Sequence, residues 1–469
     1  MTGLSLPRTF RALRHRNYRL FFAGQGLSLI GTWLQQVAMG WLTYRLTGSA
    51  WLLGVVAFCA NVGVLLFSNL AGVLADRIDR RRGLLTTQSL MLAQAVVLAV
   101  LVAFGWIQTW HLIVLALWLG ICSAFDLPLR QSMYVHFIAD RGDLANAIAL
   151  NSMLVNTARV VGPAIAGMLL ALTSEAVCFA LNALSFVAVI VAILKMHWPA
   201  DIRPGVASGW WASWLEGARY AYGLAPVRAL LGVVAALAWT ISPYTSLMPI
   251  YAKDIFGGGP HTLGYLLSAA GVGALVSTAY LAGRATVRGL GRLIMYAAAT
   301  SGVALAAFAY MKIYPIALLL MVLVGGGTIL AAASVNTILQ TIVEDRLRGR
   351  MASFYTLAFL GVAPLGNLAT GAIAGAFGAP IAFALNGVPH RRSIFGSSAS
   401  RNPSPSTLKA RTVRKIASAG KMASCGAVSM SARAASSIAP HSGVGGCAPM
   451  PRNDRLAAVM IDVPMRSEK

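Results

Sequence analysis

Charge is scarce in this chain. Of its 469 residues only 11% are Asp, Glu, Lys or Arg, and just 14 of them are acidic. Soluble domains carry about 25% charged residues, so an ordinary water-soluble fold is excluded. Hydrophobic residues make up 57% of the chain, which excludes disorder for its body. The five cysteines are scattered and form no CxxC pair, so neither a disulfide framework nor a Cys-based metal or redox centre has support. GxxxxGK[ST], HExxH and GxSxG are all missing, which removes direct ATP hydrolysis, metalloprotease chemistry and serine-hydrolase chemistry. The expectation is a protein that is not an enzyme and uses no cofactor and no metal.

Long apolar runs are what the chain has in quantity. Eleven follow one another, from Leu20–Tyr44 to Met351–Phe377. Each is near or above the roughly 18–20 residues needed to cross a bilayer core. Lipid offers no partner to an open backbone group, so the segments must be helical and the fold class is an all-α membrane protein. The net charge of +24 suggests nucleic acid until it is mapped. The basic residues sit in short loops between apolar segments and in the tail, so we expect no nucleic-acid partner and a lipid bilayer instead. With the N-terminus in the cytoplasm, 21 Lys and Arg fall inside, among them Arg8–Arg19, Arg80–Arg82 and Arg346–Arg350. Only Arg45, Lys253 and Lys312 fall outside. That imbalance orients the protein in a bacterial inner membrane, multi-pass with a cytoplasmic N-terminus. The first apolar run is too long for a cleaved signal peptide.

Two halves are legible. Asp140-Arg141 recurs as Asp345-Arg346, and Pro163 recurs as Pro364, at similar offsets. The division is residues 1–195 as one six-helix half, 196–228 as a cytoplasmic loop, and 229–388 as a second half of five full helices plus a partial twelfth. In the loop, Trp210–Tyr222 reads equally as an amphipathic helix or a plain linker. Residues 389–469 form a basic, low-complexity tail. It interrupts the twelfth helix instead of following it, so a shifted reading frame explains it best; a disordered extension and a lipid- or nucleic-acid-binding arm are the alternatives.

Several polar residues stand out against this background. Asp76 at the end of the second segment, with Arg77 and Arg80 beyond it, can form a salt-bridge latch between two conformations, with Gly72 allowing close helix contact. Arg81 and Arg82 need no role beyond topology. Asp126 is the one acidic residue well inside an apolar segment, so it is either part of that latch, with Arg130 nearby, or the site of a coupling proton. Arg159 is the lone basic residue within the fifth segment, near Asn151. It fits an anionic or phenolic substrate, or partnership with Asp126. Gln25 and Gln36 are three helical turns apart and line either a cavity or a helix contact. Gly162, Pro163 and Gly167 make a bent helix that another, such as the one carrying Gly264, Gly271 and Gly273, can approach closely.

The stretch Gly72-Val-Leu-Ala-Asp76-Arg77-Ile-Asp79-Arg80-Arg81-Arg82 resembles the loop between helices two and three of the major facilitator superfamily. Asp79, where the superfamily usually has Gly, is similar to the branch of enterobactin exporters and related transmembrane secretion effectors. Gly31-Thr-Trp-Leu-Gln-Gln36 and Ala124-Phe-Asp126-Leu-Pro128-Leu-Arg130-Gln131 fit the same branch. The resemblance covers about residues 10–388. It implies a bundle of two six-helix halves with a truncated twelfth helix. It also implies secondary active transport by alternating access. The expected activity is proton-coupled export of a small amphipathic compound of the siderophore or drug class, by a monomer. Gly162-Pro163 with Gly167 resembles the helix-five motif of antiporters. Uptake, facilitated diffusion, or an inactive truncated transporter are the other readings.

Overall fold

Apolar runs of this length leave the backbone no partner but itself, and every element among the described residues is a helix. The structure is a computed structural model and describes residues 8–137, 143–197, 210–284, 286–344 and 347–387. A 3-10 helix, Arg8–Arg14, leads into the first half: α1 (Arg16–Thr47), α2 (Ala50–Arg77), α3 (Arg80–Ala103), α4 (Thr109–Phe137), α5 (Leu144–Leu172) and α6 (Glu175–Lys195). A connecting helix follows, α7 (Trp210–Gly223). The second half comprises α8 (Ala225–Thr240), α9 (Tyr244–Ile250), α10 (Pro260–Ala282), α11 (Leu290–Ala309), α12 (Tyr314–Ile342), α13 (Arg348–Thr356), α14 (Ala363–Phe377) and α15 (Ala379–Gly387).

Among the described residues, ten helical stretches are long and apolar enough to cross a membrane. The eleventh expected span, α1, is 32 residues long, about 48 Å, and so falls short by composition and not by length. Gly24, Gln25, Gly26, Ser28, Gly31, Gln35 and Gln36 dilute it. Two expected segments are not single helices. Ala229–Ala252 splits at Pro243 between α8 and α9, and a π-helical turn, Tyr251–Ile255, follows Pro249. Met351–Phe377 is interrupted by a π-helical turn, Leu357–Gly361, just ahead of Pro364. Proline removes a backbone donor from the helical ladder, and hydropathy alone does not register the gap.

The halves meet reciprocally: α2 packs on α14, and α5 on α10. Glycines set both crossings. A Cβ on Gly54 of α2 would lie 2.8 Å from the Gly371 Cα of α14. A Cβ on Gly264 of α10 would lie 2.5 Å from the Pro163 carbonyl oxygen and 2.9 Å from the Gly167 Cα of α5. Gly54 is one turn into α2 and Gly167 little more than one turn from the end of α5, so both contacts lie at the same end of the bundle. That end is opposite the one bearing the arginines of the first helix and of the α2–α3 loop, called here the basic end. At the end opposite the basic one, Tyr44 of α1 donates a hydrogen bond to Asp254, and the Lys253 ammonium lies 5.6 Å above the Tyr44 ring. One buried apolar cluster runs through both halves, including Leu42, Leu53, Leu247, Leu263 and Phe383. The first half's basic end has a separate cluster of its own, around Tyr18, Phe21, Leu84, Met133 and Ile193.

Each half is fastened at its basic end by a short helix that precedes its first long one. From Arg8–Arg14, the Arg11 Nε and an Arg14 terminal nitrogen lie 2.6 and 2.8 Å from the Asp143 carboxylate, just ahead of α5. The His15 Nε2 lies 3.0 Å from the same carboxylate, and the Ala12 amide donates to the Asn146 Oδ1 at 2.9 Å. The His15 hydrogen bond, with Arg11 and Arg14 beside it, holds the Asp143 carboxyl below its ordinary value. In the second half, Glu216 of α7 pairs with Arg350 of α13, and Gly217 of α7 abuts the Phe354 ring. Residues 210–223 are thus a docked helix and not a plain linker.

The partial twelfth helix, α15, has nine residues, about 13.5 Å. Phe383 stacks on Tyr251 at 4.9 Å, and Tyr251 meets Phe308 of α11 at 4.7 Å. The tail expected from residue 389 onward lies outside the described residues, as do Asp140, Arg141, Asp345 and Arg346.

Candidate functional site

Asp126 sits two residues before the Pro128 of α4 and is only 3% exposed. Burying a carboxylate requires donors, and three surround it. Arg130, one turn on, forms an ion pair with it. From α3, the Thr87 hydroxyl donates at 3.0 Å and the Gln88 amide at 2.7 Å. The cluster therefore ties α4 to α3 within one half. A narrow crevice opens beside it, lined by Phe21, Gln25, Gln88, Arg130 and Met196. The Gln88 Oε1 has no hydrogen-bond partner among the described residues.

The loop after α2 is partly described. Gly72 has nothing within 4 Å of where a Cβ would be, so it makes no close helix contact among the described residues. The side chains of Asp76 and Arg77 lie outside the described residues. Asp79 serves the local backbone, as the N-cap of α3, and accepts a hydrogen bond from the Arg82 amide at 3.0 Å. A short polar acceptor at that position satisfies one of the helix's orphan donors. Arg80 opens α3 behind this cap.

Helix α5 runs unbroken through Pro163. Gly162 admits α1: a Cβ there would lie 2.6 Å from the Trp33 Cβ. Gly264 and Gly271 of α10 both touch α5, the latter against the Arg159 carbonyl, where a Cβ would sit 2.6 Å away. Gly273 faces α12 instead. Arg159, one turn before Gly162, is enclosed by protein yet not sealed from solvent, and it lies within electrostatic range of Tyr244 of α9 in the other half. Asp126 is not its partner, being held by Arg130, Thr87 and Gln88.

The polar residues of α1 separate into two environments. Gln35 is 2% exposed; it donates to Gln94 at 3.0 Å and accepts from Asn182 at 2.6 Å. Gln94 in turn donates to the Leu115 carbonyl at 3.2 Å. This satisfied network fastens α1, α3, α4 and α6 together. Gln25 is buried at the crevice. Gln36 is exposed although it sits mid-helix. It lies one turn from Trp33, which abuts Gly162, and one turn from Gly40, which faces Pro249 of α9 at 3.6 Å. Its face of α1 is the one that looks across to the other half. Asn151 is half-buried on α5, two turns from Arg159 toward the basic end. His111 packs its ring on Trp110 at a helix start, while the side chain of His136 lies outside the described residues.

Arg159 and Tyr244, which come from different halves, lie within electrostatic range of each other. Tyr244 carried no signal of its own in the sequence; only its place just after the Pro243 break hints at it.

Known proteins agree with this architecture. The profile of a family described as transmembrane secretion effector matches residues 8–396. The chain is 26% identical over 371 residues to the staphyloferrin A transporter of Staphylococcus aureus, covering 79% of this chain and 92% of that one. It is 27% identical over 390 residues to the multidrug efflux pump Tap of Mycolicibacterium fortuitum, covering 78% and 90%. In fold it is similar to a bacterial homologue of the iron transporter ferroportin in an inward-facing state, with a TM-score of 0.61 at 17% identity over 82% of this chain and 99% of that one. The chain is a multi-pass membrane transporter and not an enzyme, and it belongs to the transmembrane secretion effector family of the major facilitator superfamily.

Proposed function

We propose that this transporter exports a small amphipathic compound, of the siderophore or drug class, by alternating access driven by protons. One observation carries the reading. The inter-half crossings at Gly54–Gly371 and Gly167–Gly264 lie at the end opposite the arginines. The halves are therefore packed together at that end, which supports access from the basic end, the cytoplasmic one in this reading. An exporter loads in such a state. The two relatives named above, a siderophore transporter and an efflux pump, support the same class of cargo.

In this reading the crossings of α2 with α14 and α5 with α10 separate as the basic ends close. Gly162, Pro163 and Gly167 form the surface on which α5 moves against α10. Gly72, Asp76, Arg77 and Arg80 form the latch at the basic end, with Asp126 and Arg130 anchoring α4 to α3 beside it. Asp126 is also the candidate proton carrier. Asn151, Gln25, Arg159 and Gln36 stand at successive depths from the basic end to mid-membrane, and in this reading they mark the path of the substrate.

A second reading has its own observation. The described part of α15 covers less than half of the roughly 30 Å hydrocarbon core, as an inactive, incomplete transporter would. One experiment separates the readings. Inside-out vesicles containing the full chain are energised with a proton gradient, and uptake of ethidium, chloramphenicol and fusidate is followed with and without an uncoupler. Export predicts uncoupler-sensitive accumulation of at least one probe. Equilibration without accumulation would indicate facilitated diffusion, and no movement of any probe would favour the inactive chain.

A further inference from the structure

We infer that Arg159 anchors an anionic group, a carboxylate, on the transported compound, with Tyr244 closing on it from the other half. This rests on the export reading above and adds the charge of the cargo.

Asp79 caps α3. Asp126 is taken by Arg130, Thr87 and Gln88. Asp143 is taken by Arg11, Arg14 and His15, and Glu175 by Arg45 at 2.8 Å. Glu216 belongs to Arg350 and Asp254 to Tyr44. Glu344 lies just past the end of α12 at the basic end, beside Tyr220. No described acid is left for Arg159, and no described hydrogen bond or ion pair involves it.

An arginine in the middle of an apolar helix is costly unless a counter-charge or a polar cavity receives it. Here the guanidinium is enclosed by protein yet reachable by solvent, at the depth where the halves face each other. The planar guanidinium fork matches a carboxylate, which it can hold through two parallel hydrogen bonds. Tyr244 of α9, half-buried in the other half, lies within electrostatic range of the guanidinium. Gln36 is exposed on α1, one turn from the Trp33 that abuts Gly162 beside Arg159. A carboxylate held here would touch both halves, so it would bias how they sit relative to one another. A cation would meet only the positive Arg159.

The test uses the same vesicles and three probes of different charge: fusidate, a carboxylate; chloramphenicol, neutral; and ethidium, a cation. Wild type is expected to accumulate fusidate. Arg159→Gln is expected to slow fusidate accumulation about tenfold or more while leaving the other two within about twofold, the loss of one charge-assisted bidentate contact. Arg159→Lys should keep part of the fusidate activity. In purified full-length protein, fusidate should raise the unfolding temperature of wild type but not of Arg159→Gln, with both melting alike when no probe is added. Equal slowing of all three probes, or melting of the unliganded variant well below wild type, would make Arg159 a structural residue and overturn the inference. Accumulation of ethidium or chloramphenicol without fusidate would overturn it while leaving export intact. Movement of no probe at all would remove the export reading, and the inference with it.

Discussion

Consider valine in place of Gly264. In this conformer the added Cβ would lie 2.5 Å from the Pro163 carbonyl oxygen, 2.9 Å from the Gly167 Cα and 3.2 Å from the Gly167 amide nitrogen. All three are backbone atoms of α5, so no side chain can swing away to admit it. Overpacking of this kind costs about 1–3 kcal/mol, and a contact with backbone belongs at the upper end. The penalty exists only while α5 and α10 cross here. Separation at this end relieves it, so the substitution shifts the balance toward the alternate conformer. At about 2–3 kcal/mol the shift is roughly 30- to 140-fold. The assay is a distance measurement between spin labels at Leu46 and Ile313, exposed residues of the two halves at this end, with the five native cysteines replaced. Wild type should give mainly the short distance. Gly264→Val should populate a longer one. A folded variant with an unchanged distance distribution would refute the claim that this crossing holds the conformer.

Three further expectations follow. Asp126→Asn leaves Arg130 without its counter-charge; removing one partner of a buried pair costs about 3–5 kcal/mol, and with Arg130 18% exposed the loss should be at the low end, measured by thermal unfolding in detergent. Because the Asp143 carboxyl is held below its ordinary value, its contribution to docking Arg8–Arg14 is fully present above pH 3.8 and is lost only as pH falls through the lowered value. Hydrogen exchange of residues 8–14, once intrinsic rates are removed, should therefore rise as pH falls below that range, and Asp143→Asn should raise it at neutral pH. Glu216→Gln, by contrast, breaks a pair whose side chains are 31% and 41% exposed, so its effect on unfolding should stay below about 1 kcal/mol.

Long apolar runs made the helix count and fold class readable, because a bilayer permits few alternatives. The breaks at Pro243 and at Leu357–Gly361 were less readable, since both flanks stay apolar. Asp79 was visible only as a departure from a family pattern; its role as a helix cap depends on where α3 begins, which hydropathy does not give. The glutamines show the same limit. Gln25, Gln35 and Gln36 look alike in one apolar segment, yet they end in a crevice, in a saturated network and on an exposed face. Only the positions of α3, α6 and α9 decide which. Arg159 was conspicuous by itself, whereas its apposition to Tyr244 arises from tertiary packing between residues 85 positions apart.

The two short helices at the basic end dock through opposite charges. Arg8–Arg14 brings arginines to an aspartate, and α7, which carries both Glu216 and Arg219, brings the glutamate to an arginine. A duplicated chain runs the risk that one half's fastening seizes the other half, or the matching half of a second molecule. With this polarity the exchange is disfavoured at the docking contacts. Misplaced on α13, Arg11 and Arg14 would confront Arg350, and like charges so close repel.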